Sequence, residues 1–179
     1  AAFEARRAAS VAKNAHGAVA ALYGTLAEVQ NVSAVLVLEN VGSTPTTLSG
    51  VTVAGHSVYI SIYGGDNTDI ARAIYNKLDA GCGTSGDTLV TYNPASDNAE
   101  DQPDALYSYY IKRPTATETA IKVTVEDAQA TALTDAIKKA VVDNFNGLTS
   151  YRRIKMGDTV YSSRFYADVI KAGVNKLVS

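Results

Sequence analysis

The chain has 179 residues and a mass of 18.8 kDa, which at ~150 residues per domain allows one domain or two small ones. Hydrophobic residues make up 46%, but 28 residues are alanine, so large apolar side chains are nearer ~30%, enough for a folded but lean core. Sixteen Lys and Arg against 18 Asp and Glu, a pI of 5.7 and basic residues only in pairs such as Arg6-Arg7, Lys138-Lys139 and Arg152-Arg153 exclude a nucleic-acid coat. One cysteine excludes an internal disulfide framework, two histidines are too few for a dedicated transition-metal centre, and no run of apolar residues is long enough to span a bilayer.

In chain order, Ala8, Ala12, Ala15, Val19, Leu22, Leu26 and Val29 recur at spacings of four and three, the buried face of a long amphipathic helix. Gly17 and Gly24 sit seven apart on it, where each costs about 1 kcal/mol relative to Ala. The helix start lacks a cap and carries Arg6-Arg7, while the other end of the chain, Val174 to Val178, is apolar and strand-like. These ends predict a fragment of a longer polypeptide.

Val32 to Leu38 and Ser57 to Tyr63 are rich in β formers and read as strands, the second alternating Val58, Ile60, Ile62 against Tyr59, Ser61, Tyr63. Between them, Gly42 to Gly50 reads as a polar turn region, followed by Val51-Thr52-Val53 and a turn at Ala54-Gly55-His56. After Gly64-Gly65, Asp66 or Asn67 caps a helix with Ile70, Ile74 and Leu78 inward and Gly81 at its end.

Strands are predicted at Thr88 to Tyr92, Tyr107 to Lys112 and Thr119 to Val125, with Asn93 to Asp104 a polar loop between the first two. That loop divides the chain into prospective subdomains 1–92 and 105–179. Thr131 to Phe145 reads as a helix with Leu133, Ile137, Ala140, Val141 and Phe145 on one face, stopped at Asn146-Gly147. Ser162 or Ser163 caps a short last helix with Phe165, Val169 and Ala172 inward, ended by Gly173. Helix, tight turn and strand thus occur at both ends, Val32 to Val35 echoing Val174 to Leu177 as a weak internal repeat. The fold class is α+β, an antiparallel or mixed sheet packed against three to four helices.

Few constellations suggest chemistry. Gly81-Cys82-Gly83-Thr84-Ser85-Gly86 fits the G-x-G-x-x-G spacing, but it leaves a helix and opens a strand, the reverse of a dinucleotide site, and reads as a glycine-rich turn. Cys82 with His16 or His56 as base would make a small thiol enzyme, although the spacing does not pair them and a lone cysteine reads as a small buried hydrophobe. Asp66, Asp69, Asp97, Glu100, Asp101 and Asp104 lack the spacing of a calcium loop. Among eleven tyrosines, alternation puts Tyr107 and Tyr109 on one strand face and Tyr110 on the other, where the phenol suits either an interface or a half-buried strand. No residue is assigned a catalytic, cofactor or metal role.

The order of segments resembles one family. Glu39-Asn40, the Gly50-Val51 turn, His56-Ser57-Val58-Tyr59-Ile60, Gly64-Gly65-Asp66, Asp69-Ile70-Ala71, Ala73-Ile74-Tyr75, Gly81-Cys82-Gly83-Thr84 and Gly86 look like the central region of the baseplate J-like family of contractile phage tails. Likeness continues through Arg113-Pro114, Ile121 to Val125, the helix before Gly147, Met156-Gly157-Asp158-Thr159-Val160-Tyr161 and Gly173-Val174. The chain departs from the pattern at Asn93 to Asp104, which has no glycine where the family has a Gly-rich hairpin.

The resemblance implies a non-enzymatic wedge component between tail hub and outer baseplate. Its implied partners are other baseplate and tail proteins and homologous copies in a six-fold ring, with no cofactor and no nucleic acid. The implied location is the virion tail baseplate, reached from the host cytoplasm during assembly. A phage-derived contractile injection machine would use the same architecture, and the alternative of another class is a thiol or nucleotide enzyme built on Gly81 to Gly86.

Overall fold

The computed structural model describes residues 19–97, 104–125 and 130–174. The chain divides between Ala116 and Thr117 into two compact units. The first contains α1 (Val19–Ala27), β1 (Val32–Asn40), β2 (Thr46–Leu48), β3 (Val51–Val53), β4 (Ser57–Gly64), α2 (Asn67–Lys77), β5 (Gly83–Ser85), β6 (Thr88–Tyr92) and β7 (Tyr107–Ile111). The second contains α3 (Ala130–Phe145) and α4 (Ser163–Lys171). This is the expected α+β class, with small antiparallel and mixed sheets beside helices.

In the first unit β1 and β4 pair antiparallel from Ala34 with Tyr63 to Asn40 with Ser57, with a register irregularity between Val32 and Ala34. β4 then takes two parallel neighbours in succession: β5 along Ser57 to Tyr59, and beyond it Lys112, which donates to the Ile60 carbonyl and accepts from Ile62 N–H. β6 and β7 form an antiparallel ribbon from Thr88 with Ile111 to Tyr92 with Tyr107. Tyr107–Ile111 therefore belongs with Thr88–Tyr92, and the polar stretch from Asn93 is a connection inside the first unit. Its described start is a 3-10 turn at Pro94–Ser96, capped by Asn93.

Gly86 explains why the chain can pass from β5 to β6 at this point. A Cβ there would collide with the Ile111 main chain, so only glycine lets the two backbones cross. Asp87 N–H then donates to the Ile111 carbonyl at 3.0 Å.

The core follows from strand alternation. Val35, Val58, Ile60, Ile62, Val90, Tyr92 and Ile111 point to the same side, where Leu22 and Leu26 of α1 and Ile70, Ala71, Ala73 and Ile74 of α2 cover them. Each fully buried isoleucine here contributes roughly 1.5–3 kcal/mol. Asp66 caps α2 by accepting from Thr68 N–H at 2.8 Å and Asp69 N–H, which holds its carboxyl below the ordinary carboxylate range.

Several expectations are corrected. The region Gly42 to Gly50 is not all turn: Thr46–Leu48 pairs with Val51–Val53, because Ser49 and Gly50, both at positive φ (49° and 78°), make the tight turn that suits a hairpin. α2 stops at Lys77 with Leu78 as cap, ahead of Gly81, and Leu78 packs against the core after leaving the helix. Thr119 to Val125 forms no strand ladder among the described residues, only an isolated bridge at Val125; its alternation is real, but a strand also needs a hydrogen-bonded neighbour. Ser162 stands at the start of α4 without a side-chain capping bond, and the first N–H groups go instead to the Tyr161 and Ser162 carbonyls. The early part of the first helix, with Arg6-Arg7 and Gly17, lies outside the described residues. So do residues 175–178, which carry most of the terminal run and of the second half of the internal echo.

Candidate interaction surface

The sides of the β1–β4 and β6–β7 ladders turned away from α1 and α2 carry Ala34, Leu36 and Leu38 on β1, Tyr59 and Tyr63 on β4, Leu89 on β6 and Tyr110 on β7, as the same alternation requires. Leu89 and Tyr110 lie directly opposite each other and are 51% and 50% exposed, and Tyr63 is 44% exposed. Ala34, Leu36, Leu38 and Tyr59 are half-buried. Among the described residues of this unit no helix packs over them. A sheet face of leucine and tyrosine left partly open has the composition of a protein-binding surface, where Tyr combines apolar area with a polar tip.

Tyr75, Tyr92, Tyr107 and Tyr109 lie on the core side. Tyr75 of α2 meets the Tyr92 and Tyr107 rings at 5.3 and 4.8 Å between centroids, and Tyr109 packs against the core. Tyr92 Oη donates to Asp97 at 2.7 Å, which pushes its phenol pKa up, while Arg72 pairs with the same carboxylate and lies 5.7 Å over the Tyr92 ring. The predicted split of Tyr107 and Tyr109 from Tyr110 is thus observed. Of these three, Tyr110 alone reaches the open face.

Two polar clasps hold the edges of this sheet. Asn40, buried at the end of β1, donates from Nδ2 to the Thr44, Val53 and Ala54 carbonyls at 2.8–3.1 Å and accepts from Gly42 N–H, so one amide hangs the β2–β3 hairpin on the sheet. Arg113, just past β7, donates to the Gly64 and Gly65 carbonyls and to Asn67 Oδ1. Both glycines have positive φ, 83° and 77°, which turns their carbonyls toward the guanidinium. Burial lowers the Arg113 pKa, and the nearby Asp66 opposes that shift. Glu39-Asn40, Gly64-Gly65 and Arg113-Pro114, singled out in the sequence without a mechanism, thus include residues that shape strand ends.

The second unit has a smaller core of Ile137, Phe165, Val169 and Val174. Beside it runs the segment 117–125: Thr117, Thr119, Ile121, Val123 and Val125 line a groove of about 740 Å³ against α3. A further groove of about 280 Å³ lies between this segment and Phe165, Tyr166 and Val169 of α4. Asn144, fully buried on α3, donates to Asp168 Oδ2 at 2.5 Å and to the Arg164 carbonyl, and accepts from Arg164 Nε at 2.7 Å. The bond to Asp168 is the main reason that carboxyl is held below its ordinary range. Arg152 makes a bidentate pair with Asp158 at 2.7 and 2.8 Å, and Lys155 N–H donates to the same carboxylate.

The candidates for chemistry are not brought together. Gly83, Thr84 and Ser85 form a strand beside β4, with no helix N-terminus behind them. Cys82 is half-buried and its thiol points to the main-chain carbonyls of His56 and Gly83 at 4.0 and 3.7 Å. Burial, then Glu39 and Asp79, push its pKa up, the opposite of what an activated thiolate needs. Asp66 caps α2, Asp69 and Asp97 pair with Arg72, and Asp104 accepts from Asn93 at 2.8 Å. His16, Glu100 and Asp101 lie outside the described residues, among which no cluster of three potential ligands is positioned to hold a metal. No helix among the described residues is long and apolar enough to cross a membrane.

No family model matches the chain, and no curated protein matches it either.

Proposed function

We propose that this chain is a structural wedge component of a contractile phage tail baseplate, working through protein–protein assembly between the tail hub and the outer baseplate. The observation that carries the reading is the open Leu36, Leu38, Tyr59, Tyr63, Leu89 and Tyr110 face of the first unit, a surface suited to burial by a neighbour. Two polar clasps on residues of the resembling segments, Asn40 on its hairpin and Arg113 on Gly64-Gly65, keep that face in shape. Partners are other tail proteins and homologous copies in a six-fold ring, as closed symmetric assemblies require self-complementary or ring-closing surfaces.

Immunogold electron microscopy tests the reading, using antibodies to this chain on contractile particles from the source organism. Gold confined to the distal end of contractile tails is expected. Capsids on the labelled tails identify a phage, and capsid-free labelled tails identify a phage-derived injection machine. Accessible particles that never label, with the antigen in the soluble fraction, overturn the assembly reading.

A further inference from the structure

We draw no further inference here: the strongest candidate, the apolar groove of about 740 Å³ between the segment 117–125 and α3 in the second unit, carries nothing because nothing among the described residues shows what covers it.

Discussion

The two units bury their apolar residues in different ways. In the first, a sheet supplies a flat row of isoleucines and valines that α1 and α2 seal completely, with Ile60, Ile62, Ile70, Ile74 and Ile111 all fully buried. In the second, two helices meet an extended segment that has no ladder among the described residues, leaving grooves of about 740 and 280 Å³ beside the core. Ile137 and Phe165 are nearly buried there, but Leu133, Val141 and Phe145 only partly so. The difference teaches that a hydrogen-bonded sheet lets a lean, alanine-rich sequence close its core, because one strand face can be covered by one helix stripe.

The largest expected effect sharpens this contrast. Ile60→Ala should cost about 2–5 kcal/mol in urea denaturation, and Ile137→Ala should fall at or below the low end of that range, since its cavity opens onto an existing groove. Equal losses would show that the second core is as tightly closed as the first.

Next come two polar networks, one in each unit: the Arg113 clasp of the first and the Asn144 cluster of the second. Arg113→Ala and Asn144→Ala should each cost about 1–3 kcal/mol, the first by freeing the Gly64 and Gly65 carbonyls and the second by leaving Asp168 and Arg164 without their shared partner. Arg113→Lys should recover less than half of the loss, because an ammonium cannot span three acceptors as a planar guanidinium does. Hydrogen exchange assigns each effect to its unit: amides of β4 and α2 should lose protection in the Arg113 variant and those of α3 and α4 in the Asn144 variant.

Acid should separate the units more gently. Asp168 has a lowered pKa, so its contribution is present above the ordinary carboxylate range and is lost as pH falls through the folded value. Asn144→Ala removes the main cause of that shift, so melting of α3 and α4 in the variant should become less steep in its pH dependence below about pH 4.

The smallest effect concerns Asp158, lowered from 3.8 to about 2 by Arg152 and the Lys155 N–H. The stabilisation is complete above 3.8 and disappears as pH falls toward about 2. Asp158→Asn should therefore melt slightly earlier than the parent at neutral pH and match it near pH 2, and a gap that persists undiminished at about pH 2 would break this assignment.

Much of the fold was legible because burial has a period. Val58, Ile60 and Ile62, the α2 stripe at Ile70 and Ile74, the Asp66 cap and the helix through Phe145 are all written in spacing and local hydrogen-bond chemistry. The hairpin at Thr46–Leu48 was hidden, since three residues rich in threonine look like turn until a buried Asn40 shows what they hang from. Positive-φ tolerance at Ser49-Gly50 was the available signal. Thr119 to Val125 misled in the other direction, because alternation reports which side chains share a face and says nothing of whether a neighbouring strand exists.

The open face was partly legible too. Alternation in the sequence separates Tyr110 from Tyr107 and Tyr109, but it cannot say which set the helices cover. Gly81 to Gly86 shows the same limit: its spacing suggests a phosphate cradle, while in three dimensions Gly86 is the point where one backbone crosses another at Ile111.

The sequence by itself determined the α+β class, the helices, most strands and the residues that point inward, because periodicity and caps act over a few residues. Tertiary structure alone decided that β7 returns to β6, that Arg113 reaches back to Gly64-Gly65, and that leucines and tyrosines of four strands lie on the sides turned away from α1 and α2. Those contacts join segments far apart in the chain, and the energy that selects them comes from burial and hydrogen bonding between segments, which no local pattern encodes.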